Sequence, residues 1–141
     1  MRVPLVIQEK GIFLNVSIRC KSLRLFGIVQ FLIDTGSPHT FLSKTDVQRL
    51  NISQSAFSFD SDFSMAGSKY RLLVNPNALN INMKEESGKL VTLVKRECTI
   101  ALPTTPTEAY SIPSIIGRDF LIENELALYF APKKGIAFLE K

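Results

Sequence analysis

The segment Phe31-Leu32-Ile33-Asp34-Thr35-Gly36-Ser37 ends an apolar run in a carboxylate, a hydroxyl and a glycine. An apolar extended run buries itself in a wall of side chains, and a tight turn at its end holds the next residue at the edge of that wall. Asp34 is thereby offered as a positioned carboxylate in hydrophobic surroundings, which is a catalytic geometry. Far downstream, Ser114-Ile115-Ile116-Gly117-Arg118-Asp119-Phe120-Leu121 gives a second apolar strand, ended by Gly and followed by a charged pair suited to starting a helix. The bland alternative is a turn whose Asp and Gly serve only backbone tolerance. A serine hydrolase built from Ser37, His39 and Asp34 is rejected, because three residues on one tight turn would have to converge and the sequence has no Gly-x-Ser-x-Gly elbow.

The elements around these segments read mostly as strands. Leu5–Gln8 and Ile12–Ile18 alternate apolar and polar residues about a turn at Glu9-Lys10-Gly11, and Leu23–Ile33 is a longer strand feeding into Asp34. Ser43–Leu50 is the best helix, with Ser43 as cap and Asp46 three residues on, placed to hold the Asp34 turn from behind. Phe57–Leu73 holds two alternating runs joined at Met65-Ala66-Gly67-Ser68, a hairpin by pattern. Asn80–Lys84 and Leu90–Leu102 read as a strand pair turned at Glu85-Glu86-Ser87-Gly88, and Pro103-Thr104-Thr105-Pro106-Thr107 as a loop. Ile112–Ile116 returns to the core, Asp119–Asn124 is a short helix, and Leu126–Phe130 and Ile136–Leu139 finish the sheet.

Asp34-Thr35-Gly36 after Val29, Phe31, Leu32 and Ile33, followed in order by Ile115-Ile116-Gly117-Arg118, resembles the retropepsins, the retroviral-type aspartic proteases and their single-lobed cellular relatives. Thr40-Phe41-Leu42-Ser43 and the closing segments Leu126–Tyr129 and Lys134–Phe138 extend the likeness, while residues 75–112 find no counterpart. The resemblance implies an all-β fold, a closed acid-protease β-barrel with one or two short helices, forming one protease domain over residues 1–141. It implies Asp34 as the catalytic aspartate and Thr35 as a lock between the two active-site turns of a dimer. Gly36 would allow close backbone approach, and Ser37 would donate its hydroxyl to the outer carboxylate oxygen, giving an acidic optimum. The hairpin tip Met65-Ala66-Gly67-Ser68 would be the flap over the substrate. Ile116 and Gly117 would pack behind the turn, with Arg118 pairing near it and Asp119 at the helix start, where negative charge is favoured. Retroviral enzymes carry acidic residues where this chain has Pro38-His39-Thr40, which leaves the partner of Arg118 open and His39 either a substrate contact or loop filling.

Peptide hydrolysis by carboxyl groups needs one to take a proton from water and a second, protonated, to donate to the carbonyl oxygen. With one Asp-Thr-Gly in the chain, the second must come from another subunit, so a homodimer with Asp34 on its axis follows from the chemistry. Two carboxylates about 3 Å apart repel by about 5 kcal/mol at an effective dielectric of about 20. Such a pair shares one proton at moderate pH and titrates as a unit. The terminal segments Val3–Ile7 and Ile136–Leu139 are the candidate dimer interface, by analogy with the family.

Composition fits an aspartic endopeptidase acting on peptides or proteins and excludes several rivals. The chain has 141 residues, 45% hydrophobic and 21% charged, which is a globular balance. No apolar run approaches the roughly eighteen residues of a membrane span, and Val3-Pro4-Leu5-Val6-Ile7 is too short for a signal-peptide core, so a cytoplasmic protein with no membrane partner is expected. Cys20, Cys98 and the lone His39 cannot supply a four-ligand zinc site, and no metal or cofactor is expected. The cysteines read as buried thiols, or as a disulfide in an oxidising compartment. The net charge of +4 is spread along the chain, which argues for a solvated surface and no nucleic-acid partner. Two other readings stay open: a catalytically silent retropepsin-like dimer serving as an interaction module, and an unrelated β-barrel that binds nucleic acid or a small ligand.

Overall fold

The computed structural model describes residues 1–105 and 112–141. Strands β1 (Arg2–Pro4), β2 (Val6–Gln8), β3 (Gly11–Cys20) and β4 (Leu25–Ile33) come first, followed by helix α1 (Lys44–Arg49). The hairpin β5 (Ser58–Met65) and β6 (Ser68–Asn75) precedes β7 (Leu79–Lys84), β8 (Leu90–Lys95) and β9 (Cys98–Pro103). Then come β10 (Ser114–Ile116), helix α2 (Arg118–Glu123), β11 (Ala127–Ala131) and β12 (Ile136–Glu140). The protein is thus mostly β-sheet, with short helices.

Alternation in the sequence becomes sidedness in the sheet. Along β4, Leu25, Val29, Phe31 and Ile33 are buried, whereas Phe26, Ile28 and Gln30 are exposed. The buried set joins Leu14, Val16 and Ile18 of β3, Ile81 and Met83 of β7, and Phe120 of α2 in the main core. α1 starts where expected, with the Ser43 hydroxyl accepting the Asp46 N–H at 3.3 Å.

One closed barrel was expected, and the described strands instead form three sheets. The six-stranded sheet runs β10-β4-β3-β7-β8, with β2 also on β3, and the two smaller sheets run β5-β6-β9 and β1-β12-β11. The large sheet stays open because α2 packs against both of its edge strands, β10 and β8. Side chains of that end of α2 satisfy the β8 edge: Asn124 Nδ2 donates to the Val94 carbonyl at 3.0 Å, and the Glu123 carboxylate accepts the Arg96 N–H at 3.1 Å. The single strand expected over Leu90–Leu102 is broken between Lys95 and Cys98. After Lys95 the chain turns away, and β9 pairs with β6 in another sheet, Leu72 opposite Ala101. Pro103 ends β9 and Thr104-Thr105 leave the sheet, while Pro106 and Thr107 of the expected loop lie outside the described residues.

Residues 41 and 42 tie the sheets together. Phe41 and Ile115 exchange two backbone hydrogen bonds of 2.9 Å, and the Leu42 N–H and carbonyl bond to Thr99 and Ala101 of β9. The chain leaving the Asp34 turn is therefore clamped between β10 and β9.

Candidate active site

β4 and β10 run parallel, with Ile33 beside Ile116, and the ladder continues one residue further as the Asp34 N–H donates to the Ile116 carbonyl at 3.0 Å. This pairing of two apolar strands far apart in sequence sets Asp34 next to Gly117. Asp34 begins a turn closed by the Ser37 N–H on its carbonyl at 3.1 Å. Its Oδ1 accepts the Gly36 N–H at 2.9 Å. The Asp34 side chain is partly buried, while Thr35 and Gly36 are exposed at the tip of the turn.

Behind the turn the packing leaves no room at Gly117. A Cβ there would lie 2.4 Å from the His39 carbonyl oxygen and 2.6 Å from that of Ser37, both backbone atoms that cannot swing aside. The residue after it seals the contact twice: the Arg118 N–H donates to the Ser37 carbonyl at 2.8 Å, and its Nη1 donates to the Thr35 carbonyl at 2.8 Å. The open question of a partner for Arg118 is answered by a backbone oxygen of the turn itself.

Asp119 heads α2, as expected, yet its carboxylate reaches across to the turn. Oδ1 accepts the Thr40 hydroxyl at 2.5 Å and the Phe120 N–H at 2.7 Å, and Oδ2 accepts the Thr40 N–H at 3.1 Å. Thr40 Oγ1 in turn accepts the Gly117 N–H at 2.9 Å.

Ser37 differs from expectation. Its buried hydroxyl donates to the His39 carbonyl at 2.8 Å and accepts the His39 N–H at 3.2 Å, so its one hydrogen is used inside the loop and not on Asp34. Pro38, whose ring fixes its φ, lies between the two bonded residues. His39 is held as part of the loop, and its ring centroid sits 6.5 Å from that of Phe63.

Met65-Ala66-Gly67-Ser68 forms the tip of a two-residue hairpin, as the pattern required. Ala66 at φ 52° and Gly67 at φ 79° both lie in the left-handed region, the signature of a type I′ turn. The inward side chains Phe63 and Met65 pack on a second apolar cluster of Phe41, Tyr70, Leu72, Ala101, Ile112 and Ile115. Phe63 lies 5.6 Å from both Phe41 and Tyr70, ring to ring. The hairpin thus rests on Phe41, in the segment that leads out of the Asp34 turn.

Sequence reasoning missed Thr40, Phe63 and Lys95. Lys95 Nζ lies 2.7 Å from Glu123 and 3.4 Å from Asp119, with its side chain buried. Only a polar residue ending an apolar strand marks it in the sequence. Cys20 and Cys98 are free and buried, and burial together with Cys20 pushes the Cys98 thiol up to about 12. Among the described residues, no group of three or more His, Cys, Asp or Glu side chains could hold a metal ion. None of their helices is long and apolar enough to cross a membrane.

A crystal structure of a retropepsin-like aspartic protease from Rickettsia conorii matches this chain with a TM-score of 0.60 over 98% of both chains, at 14% sequence identity. The fold is retropepsin-like. At that identity the likeness reaches the fold and stops there. No protein-family model matches the sequence, nor does any curated protein.

Proposed function

We propose that this chain is an aspartic endopeptidase, one protease domain over residues 1–141, active as a homodimer in which each subunit supplies one Asp34. The observation that carries this reading is the Asp34 turn. At the end of an apolar strand, the turn's backbone is fixed by bonds to Ile116 and Arg118, and its partly buried Asp34 carboxylate accepts the Gly36 N–H, within a retropepsin-like fold. The pair of Asp34 carboxylates shares one proton. The ionised member takes a proton from water, the protonated member donates to the scissile carbonyl oxygen, and the symmetry of the site leaves either chain free to play either part.

Thr35, exposed at the tip, meets its counterpart across the axis, and Gly36 keeps the approach to the carboxylate clear. A Cβ on Gly36 would already stand 3.0 Å from Asp34 Oδ1. Ser37 supports the site by holding the loop shape, and Ile116, Gly117, Arg118 and Asp119 hold the turn from behind. Met65–Ser68 is the flap tip, and the apolar surfaces of Phe63, Met65 and Leu32 suit substrates with apolar side chains beside the scissile bond. The exposed Val6, Ile7 and Ile136 are available to a partner subunit, whereas Val3, Leu5 and Leu139 of the same terminal segments are buried in the core.

Binding of a statine-containing transition-state mimic tests this reading, because such molecules exceed substrates in affinity by about 100-fold or more. Calorimetry is expected to show one mimic per two chains, with binding lost in Asp34→Asn. Equal binding by wild type and Asp34→Asn would contradict it.

A further inference from the structure

We propose that Lys95 is a positioning residue for the Asp34 loop, acting through Asp119, Thr40 and Gly117; the proposal rests on the protease reading for its effect on catalysis, though not for its effect on the loop. Lys95 closes β8, and its side chain is only 6% exposed. A buried ammonium is tolerated only with ionic partners at hand. It has two, both on α2: Glu123 Oε1 at 2.7 Å and Asp119 Oδ2 at 3.4 Å.

Asp119 passes this anchorage to the loop. Its two oxygens take both hydrogens of Thr40, the amide and the hydroxyl. With the hydroxyl hydrogen directed at Asp119, the Thr40 oxygen presents its lone pair to the buried Gly117 N–H. Turning Asp119 away would free the Thr40 hydroxyl from the bond that holds its orientation, and so loosen the acceptor of that amide. Gly117 is the residue whose Cα faces the carbonyls of Ser37 and His39, so its placement sets how closely β10 supports the turn. Lys95 is thus two links from the Asp34 loop, through Asp119 to Thr40.

The same ammonium also fixes the root of the flap sheet. Glu123, drawn to Lys95 through Oε1, accepts the Arg96 N–H through Oε2 at 3.1 Å. That amide belongs to the bend where the chain leaves β8 to become β9, the strand that pairs with β6 of the flap hairpin. One buried cation therefore references both the loop below the substrate and the sheet that carries the hairpin above it.

The test compares wild type with Lys95→Met, which keeps the length of the stem and removes the charge, and with Lys95→Arg. Amide hydrogen exchange is read at Thr40 and Gly117 against amides of the β3–β4 pair, and kcat and KM are measured on a peptide substrate. In Lys95→Met, exchange at Thr40 and Gly117 is expected to quicken by about tenfold or more while the β3–β4 amides hold. kcat is expected to fall by about ten- to a hundredfold with KM little changed, since small misplacements of a catalytic group carry penalties of this size. Lys95→Arg is expected to recover most of both.

Unchanged exchange at Thr40 and Gly117 in folded Lys95→Met would overturn the proposal, as would a rise in KM with kcat intact. If Lys95→Met does not fold, Lys95→Gln makes the same comparison, and failure of both to fold would overturn a positioning role in favour of plain stability. A wild type that cleaves nothing while exchange still responds to Lys95→Met would sink the protease reading and leave the relay standing. An active wild type with an indifferent Lys95→Met would do the reverse.

Discussion

Ser37 spends its hydroxyl on its own loop, which changes what its substitution should do. In Ser37→Ala the His39 N–H loses its acceptor and the His39 carbonyl its donor, in a part-buried place. A loss of about 1–3 kcal/mol in unfolding free energy is expected by urea titration, with the shape of the pH–activity profile unmoved. A displaced acid limb would instead return the hydroxyl to the carboxylate. Cys98 carries a second consequence at this scale. Its thiol, pushed up to about 12 by burial and then by Cys20, stays protonated in the folded chain where an unfolded thiol, ordinarily at 9.0, ionises. The folded state then holds the extra proton, so this contribution to stability is complete below about pH 9 and is lost as pH rises through about 12. Chemical denaturation from pH 8 to 11 should show a shallower alkaline decline in Cys98→Ala than in wild type, and equal slopes would refute the assignment. Both residues were visible in the sequence, but their partners were not, because a hydroxyl's direction and a thiol's burial are set by the folded loop and core.

Elements were legible wherever one face of a strand is buried. β3, β4 and the β5–β6 hairpin follow their alternation, and α1 follows its Ser43 cap. Sequence pattern failed at Lys95-Arg96-Glu97, where three charged residues separate two apolar runs and the chain changes sheet, as only the pairing of β9 with β6 reveals. It failed as well on closure, since nothing local says that α2 will occupy the gap between β10 and β8. The hairpin tip offers a direct check on the β5–β6 hairpin as an element. Ala66 sits at φ 52°, where an Ala side chain is disfavoured and Asn is better tolerated. Ala66→Asn creates the Asn-Gly pair that type I′ turns prefer, and a gain of up to about 1 kcal/mol in thermal or urea unfolding is expected. A destabilised variant would mean that the tip adopts another turn.

At the scale of the whole molecule, Asp34-Thr35-Gly36 and Ile116-Gly117-Arg118 lie some eighty residues apart in the chain and meet because β4 and β10 are parallel neighbours. That meeting was legible only through resemblance, as periodicity cannot say which strands pair. A chain with one Asp34 carries half of the proposed dyad, so the oligomer and the activity stand or fall together. The most direct measurement is cleavage of a mixed peptide library from pH 3 to 8 by wild type and by Asp34→Asn, each first shown by sedimentation to be folded and dimeric. Cleavage by wild type, abolished by Asp34→Asn at every pH without loss of the dimer, is the expected result. Cleavage that survives Asp34→Asn, or a folded wild-type dimer that cleaves nothing across the range, would contradict it.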